Sequence, residues 1–485
     1  MKEYNFNFKN TYSSLGEIFF THLEPVPVAR PKLVIFNEDL ATSIGLDLSS
    51  IKDAEKAALF SGNHLPKGAE PLSQAYAGHQ FGHFAVLGDG RAHLLGEHVT
   101  PEAQKFDIQL KGSGRTPYSR SGDGRAVLGP MLREYIISEA MHALGISTTR
   151  SLAVVLSGER VIRETPLPGA ILTRVAASHI RVGTFQFAAM QQDKKLLQIL
   201  LDYTLNRHLP VLNDEENKAL SLLQKVIELQ TDLVVDWMRV GFIHGVMNTD
   251  NMTLSGETID YGPCAFIDAY DPNTVFSSID RMGRYAFVNQ PQIAQWNITR
   301  LAEALLPLIN TDLDKSIELA EEKLNLFLKL YKDKSLNMMR KKLGLFHEEE
   351  GDEKLVSDLL DWMHKNNADY TNTFRDLTDQ SETTDNIYKN KGFVEWNKRW
   401  KARRGLNKKP VKSAMSLMAK TNPAVIPRNH NVEIVLEAAH EGNLDPLHNF
   451  LRIIKKPYKR GRPHLKDYQS PPNPSERVYQ TFCGT

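Results

Sequence analysis

Between His244 and Gly262 the chain reads HGVMNTDNMTLSGETIDYG, which sets two carboxylates, Asp250 and Asp260, and one carboxamide, Asn251, on adjoining segments. Asp250 and Asn251 precede a short apolar run at 252–254, Ser255 and Gly256 offer a turn, and residues 258–260 resume an extended pattern. This order predicts a β-hairpin that brings Asn251 and Asp260 together at its open end. There an amide oxygen and a carboxylate can hold Mg²⁺ against phosphate oxygens, because such ions take hard oxygen ligands and keep positions open for substrate phosphate. The chemistry expected is that of a nucleotide site.

A triphosphate also needs cationic partners, and these lie upstream. Gly88-Asp89-Gly90-Arg91 sits where a hairpin would turn, and glycine lets backbone N–H groups approach phosphate with no Cβ in the way. Over 106–111, Phe106, Ile108 and Leu110 alternate with Asp107, Gln109 and Lys111, the period of a half-buried strand that ends on a lysine. A helix expected over 126–144 then carries Glu134, which can orient Lys111. Glycine-rich turn, strand lysine and helical glutamate follow one another as in a kinase N-lobe. His244, Gly245, Asn251 and Asp260-Tyr261-Gly262 fit the catalytic loop and metal-binding triplet of the same frame. One position breaks it: Val246 stands where a kinase carries the aspartate that takes the substrate proton. The carboxylate that can substitute is Asp250. Between strand and helix, GSGRTPYSRSGDGR places Arg115, Arg120 and Arg125 in a cationic loop, and Arg174 and Arg181 bracket the segment after a later strand. Either of that pair can fork onto a phosphate or serve as an ordinary ion-pair partner.

These groups require a scaffold, and hydrophobic periodicity predicts one. Strands are expected over 151–156 and 160–164, parted by a Ser-Gly-Glu turn, and over 169–175. Helices are expected over 196–209, 215–240, 292–309, 313–332, 353–366 and 432–454, with loops at 345–352 and 378–390. The fold class expected is α+β, a two-lobed protein-kinase-like fold with a helical C-terminal extension. It divides into a lead-in packed on the N-lobe (1–75), the N-lobe (76–184), a helical C-lobe with the catalytic hairpin (185–454) and a flexible tail (455–485).

Composition narrows the partners. With 485 residues, 41% hydrophobic and 24% charged, the chain can bury a large core. Fifty-nine Lys plus Arg against 58 Asp plus Glu give a net charge of +1, which points to neither nucleic acid nor an anionic membrane as partner. The KRGRP run at 459–463 is a single copy and reads as a solvated tail. The opening MKEYNFNFKN has no apolar signal core and no later run approaches the ~20 residues of a bilayer span, so a cytoplasmic protein is expected. His79 and His83 share the spacing of paired zinc ligands, but flanking glycines disfavour a helix, and turn or core histidines are expected. Two cysteines cannot build a disulfide framework. Cys264 lies two residues past Gly262 and Cys483 is third from the end; the two can pair on oxidation and restrict the site, or be unrelated thiols.

YAGHQFG (76–82), LGDGRA (87–92), QLKGSGRTPYSRSGDGRAVL (109–128), HGVMNTDNM (244–252), IDYGPCAF (259–266) and the cysteine near the C-terminus together resemble the selenoprotein O family of protein adenylyltransferases, pseudokinase-fold enzymes that include the bacterial YdiU-type group. The resemblance implies transfer of AMP from ATP to Ser, Thr or Tyr hydroxyls of protein substrates with Mg²⁺ or Mn²⁺, and in some bacterial members transfer of UMP from UTP. It implies an ATP inverted relative to kinases, with attack at the α-phosphorus, so that a base placed for γ-transfer is not needed. Carried over by motif, Gly88, Gly90, Arg91, Lys111, Asp123, Gly124, Arg174 and Arg181 contact nucleotide, Asn251 and Asp260 hold the metal, and through it Asp260 also meets the nucleotide. Asp250 is the proton acceptor and Glu134 the partner of Lys111. Some relatives carry selenocysteine where this chain has Cys483. An atypical kinase using Asp250 as base, or a nucleotide-binding scaffold without catalysis, are the competing readings.

Overall fold

The computed structural model describes residues 4–379 and 386–482. Among these, nine strands form one antiparallel sheet: β1 (Phe20–His22), β2 (Lys32–Phe36), β3 (Leu72–Gln80), β4 (His83–Gly88), β5 (Ala92–Val99), β6 (Lys105–Lys111), β7 (Ala126–Val127), β8 (Arg150–Ile162) and β9 (Pro166–Ala176). Their order is β1-β3-β5-β6-β9-β8-β2, with β4 on β3 and β7 on β9. The first 75 residues therefore supply two strands and the start of a third to the sheet itself.

β6 shows how the sheet serves the site. Ile108 and Leu110 are fully buried against Ile44, Leu48 and Phe60, as the alternation predicts. Asp107, Gln109 and Lys111 are buried as well, so the opposite face is no solvent face. It carries a polar network, in which Asp107 accepts from Arg207 and His179, and Lys111 donates to Glu134. β8 and its continuation form one strand, where two had been expected. The Ser-Gly-Glu signal is spent on a register shift between Leu156 and Arg160, with Gly158 at φ 76°, because a bulge absorbs a turn-forming glycine without ending the ladder.

The helix Leu128–Ala143 packs on β8 and β9 and carries Glu134. The helix Lys218–Val240 ends at Gly241 in the left-handed conformation, the usual helix stop, and delivers the chain directly to the His244 loop. Helices Gln290–Ile309, Leu313–Lys342 and Asp352–Lys365 follow. The helix expected over 432–454 is two, Asn429–His440 and Asp445–Ile454, parted at Gly442 (φ 87°). Tyr370–Asp379, Lys391–Gly405 and Val411–Thr421 are helices that periodicity did not pick out. They enclose a second core in which Trp396 and Trp400 stack at 5.8 Å and donate to Leu355 O and Leu343 O. The tail folds back onto the body: Tyr458 Oη donates to Leu144 O, and Thr481 N–H donates to Phe276 O at 2.7 Å. Among the described residues no helix is long and apolar enough to cross a membrane.

Candidate active site

Asp260 is the hub. Its Oδ1 accepts from Lys111 Nζ at 2.7 Å and from Arg174 Nη2, and its Oδ2 accepts from Arg181 Nη1 at 2.9 Å. Lys111 donates a second bond to Glu134 Oε2 (2.7 Å), and Arg174 forks onto Glu134 Oε1 through Nε (3.0 Å) and Nη2 (2.6 Å). Burial alone would favour the neutral acids. The fields of Arg174, Lys111 and Arg181 outweigh it and hold the Asp260 carboxyl well below its ordinary value; Arg174 and Lys111 lower that of Glu134. Asp260 is held at φ 62°, the left-handed region that Asp tolerates better than most residues.

The predicted hairpin is not formed. The two arms flanking Gly256 do not pair with each other: Thr253 bridges Arg181 and Thr258 bridges Thr148, so each arm joins a neighbouring segment. A side-chain lock closes the turn instead, with Thr253 Oγ1 donating to Glu257 O and accepting from Glu257 N–H. Glu257 in turn accepts from Ala177 N–H at 2.9 Å. Burial pushes its carboxyl up to about 7, opposed by the Ala177 N–H and the Ser255 hydroxyl. A carboxyl raised in the fold stabilises below its unfolded value, near 4.5, and that contribution is lost as pH rises through about 7. Glu257→Gln is therefore expected to flatten the fall in melting temperature between pH 5 and 8, read from thermal melts across that range.

Arg181 Nη1 also donates to Asp250 O (2.8 Å), and its guanidinium lies over the Tyr76 ring at 4.6 Å. The Asp250 side chain is buried, and burial raises its carboxyl to about 6 against the pull of Arg181. Gln80 Nε2 approaches Oδ2 at 3.4 Å, while Oδ1 has no hydrogen-bond partner. Gly78 makes this placement possible, since a Cβ there would sit 2.4 Å from Asp250 Oδ1. Asn251 donates Nδ2 to Val246 O at 2.9 Å, which leaves its Oδ1 available as a ligand.

Above these groups lies the glycine turn, between β4 and β5 as expected. Gly88 meets the Tyr118 ring so closely that a Cβ would stand 2.4 Å from it, and Ser119 donates to Gly90 O. The arginine-rich loop is thereby folded down onto the turn. Asp123 is paired with Arg163 (2.8 Å), and Gly124 runs against Gly114, whose carbonyl carbon would lie 2.2 Å from a Cβ. Gly88, Gly90, Arg91, Lys111, Asp123, Gly124, Glu134, Arg174, Arg181, Asp250, Asn251 and Asp260 all line one cavity of about 540 Å³, together with Val246. Sequence reasoning had passed over Tyr76, Gln80, Asp89 and Arg163 as site residues. Asp89 is buried, accepts from Gln109 at 3.1 Å and lies 3.8 Å from Arg181; its place inside the glycine turn was the available signal.

The Asn251 amide oxygen and the Asp260 carboxylate, hard oxygen donors of the kind a divalent cation shares with phosphate, line the same cavity. Among the described residues no group of three or more His, Cys, Asp or Glu is placed to hold a metal ion. His79 sits in β3 and contacts Gln186, and His83 starts β4, neither in a metal cluster. Cys264 is buried and its carbonyl accepts from Arg133. Its suggested partner, Cys483, lies outside the described residues, although Thr481 Oγ1 donates to Pro263 O at 2.6 Å beside Cys264.

A family model described as protein adenylyltransferase SelO matches residues 2–455. Proteins named protein nucleotidyltransferase YdiU are similar over the whole length. That of Nitrosococcus oceani is 56% identical over 485 residues, covering 100% of this chain and 98% of its own. That of Alcanivorax borkumensis is 57% identical over 483 residues, 99% of each. That of Halalkalibacterium halodurans is 57% identical over 485 residues, 100% of this chain and 98% of its own.

Proposed function

Because the chain belongs to the SelO family and is a protein nucleotidyltransferase, we propose that it moves AMP from ATP to a Ser, Thr or Tyr hydroxyl of another protein, with UTP as a second donor. The observation that carries this reading is the convergence of Lys111, Arg174 and Arg181 on Asp260 in a cavity that also holds Asp250 and Val246. The Lys111–Glu134 pair at 2.7 Å supports a kinase-like arrangement of the sheet and the helix behind it. Val246 cannot take a proton, so the position a kinase uses for γ-transfer has no base.

In the proposed reaction Asp250 accepts the proton of the acceptor hydroxyl. The hydroxyl oxygen bonds to the α-phosphorus, the bond to the α,β-bridging oxygen breaks, and pyrophosphate leaves. Lys111, Arg174 and Arg181 turn from Asp260 and Glu134 toward the phosphate oxygens, and the backbone of the Gly88–Arg91 turn approaches them from above. Asn251 and Asp260 would hold Mg²⁺ or Mn²⁺, which when bound neutralises phosphate charge. The test is the intact mass of an acceptor protein incubated with enzyme and ATP. An adenylate increment is expected; a phosphate increment would favour a kinase using Asp250, and no increment a scaffold.

Gly78→Ala probes the base without touching it. The added Cβ must displace Asp250 Oδ1, and a shift of that size at a reacting group costs about 10²-fold in kcat. ATP affinity should stay near the wild-type value, since Gly78 does not line the cavity. Equal kcat in the variant would remove Asp250 from the reaction.

A further inference from the structure

The β3–β4 hairpin closes through Phe81 and Gly82, at φ 52° and 89°, the two positive values that a two-residue turn uses to match strand twist. A bulky aromatic residue is strained there, and its tip is held from outside. Phe81 N–H faces Asn248 Oδ1 and Tyr285 Oη, each at 3.2 Å, and its ring packs on Tyr285. Beside the tip, His79 N–H donates to Thr249 Oγ1 at 2.7 Å and Gln80 reaches Asp250. From this anchor on the Asp250 loop, β4 runs back to the glycine turn. Gly88 at the close of β4 lines the catalytic cavity, as does Gln80 at the end of β3 on the other side of the tip.

β4 is also an edge. Among the described residues it pairs with β3 alone, whereas β5, its continuation, goes on to pair with β6 from Ala92 opposite Lys111. β6 stops at Lys111, so the place of a further strand alongside β4 stands open next to the cavity. Gln80 and His83 close the turn as a hydrogen-bonded pair, and by alternation Phe84 and Val86 turn their N–H and C=O groups away from β3. Phe84 and Val86 are 45% and 54% exposed. Proteins ordinarily cover or charge an exposed apolar edge; this one borders a site whose substrate is itself a protein.

We propose that β4 is the docking edge for the acceptor. An extended segment of the acceptor protein adds as a strand along residues 84–86, sets apolar side chains at alternate positions against Phe84 and Val86, and carries its hydroxyl residue past the strand end to Asp250. Main-chain bonds then supply affinity and the two apolar contacts supply selectivity. This rests on the reading of the cavity as a protein nucleotidyltransferase site.

Val86→Pro removes the outward N–H and leaves the bonds to β3. A second variant, Phe84→Ser with Val86→Ser, keeps the backbone and removes the apolar contacts. With α-phosphate-labelled ATP and the proteins of a bacterial lysate as acceptors, label transfer at limiting acceptor is expected to fall about tenfold in each, as loss of one or two main-chain bonds or their equivalent would produce. The affinity for a non-hydrolysable ATP analogue is expected to match wild type. Wild-type labelling in both variants would overturn the docking edge and leave the transferase reading in place. A wild type that labels nothing would bring down that reading and this proposal with it. If Val86→Pro turned a wild-type dimer into a monomer in sedimentation, the edge would belong to a second copy and the proposal would be overturned.

Discussion

Asp260→Asn is expected to reduce nucleotidyl transfer by about 10³-fold while it raises metal-free ATP affinity by about tenfold. The two effects have one origin. Asp260 holds Lys111, Arg174 and Arg181 in the absence of nucleotide, so its charge competes with phosphate for the same three cations. A unit pair at ~4 Å is worth about 4 kcal/mol at an effective dielectric of 20, and recovering a third of that in binding gives the tenfold gain. Asparagine keeps the shape and one acceptor oxygen but gives up the charge that a divalent cation would need. Transfer assays with isothermal titration of ATP, with and without Mg²⁺, measure both. If transfer survived intact, the metal assignment would be wrong; if metal-free affinity fell, the three cations would not be phosphate ligands.

The same competition explains which parts of the site were legible in the sequence. Lys111, Glu134, Arg174, Arg181 and Asp260 were readable because each is a charged residue at an element boundary or in a recognisable order, and the structure joins all five. The bond between Asp260 and the two arginines was not readable, because β9 and the Asp260 loop meet only through the tertiary fold. Gln80 was hidden by position, beside a hairpin tip where side chains ordinarily face solvent; Asp89 stood inside the glycine turn, and only the fold brings it against Gln109 and Arg181. The hairpin over 252–260 failed for a related reason. Its arms satisfy an extended pattern, but Arg181 and Thr148 offer them partners on other segments. In the fold, β6 was read correctly on its apolar face. Its polar face looks like solvent-facing strand in sequence and is in fact a buried charge network. The helices between Tyr370 and Thr421 escaped notice because each buries only a few residues, such as Tyr370 with Phe374 and Trp396 with Trp400 at helical spacing, within short stretches that are otherwise mostly polar.

Arg174→Met tests whether that network also holds the protein together. Arg174 is fully buried and makes three charge-assisted bonds to Glu134 and Asp260, with Gln109 near its Nη1. Methionine fills part of the volume but strands two acids with only Lys111 and Arg181 to answer them. Breaking one side of a buried ion network costs about 3–5 kcal/mol, because the cost is that of the charges left behind. The denaturation midpoint in urea should fall accordingly. The acids also fix the pH signature. Glu134 and Asp260 are depressed in the fold, so their stabilisation is present above their unfolded values and is lost as pH falls through the folded ones. The variant, with Arg174 gone, should show a shallower loss on acidification. Arg174→Lys should recover less than half of the deficit, since one ammonium cannot reproduce a fork that reaches Glu134 and Asp260 together. Adding Glu134→Gln to Arg174→Met should restore stability relative to the single variant, because it removes one stranded charge; strictly additive losses in that double variant would mean that the two groups are not coupled.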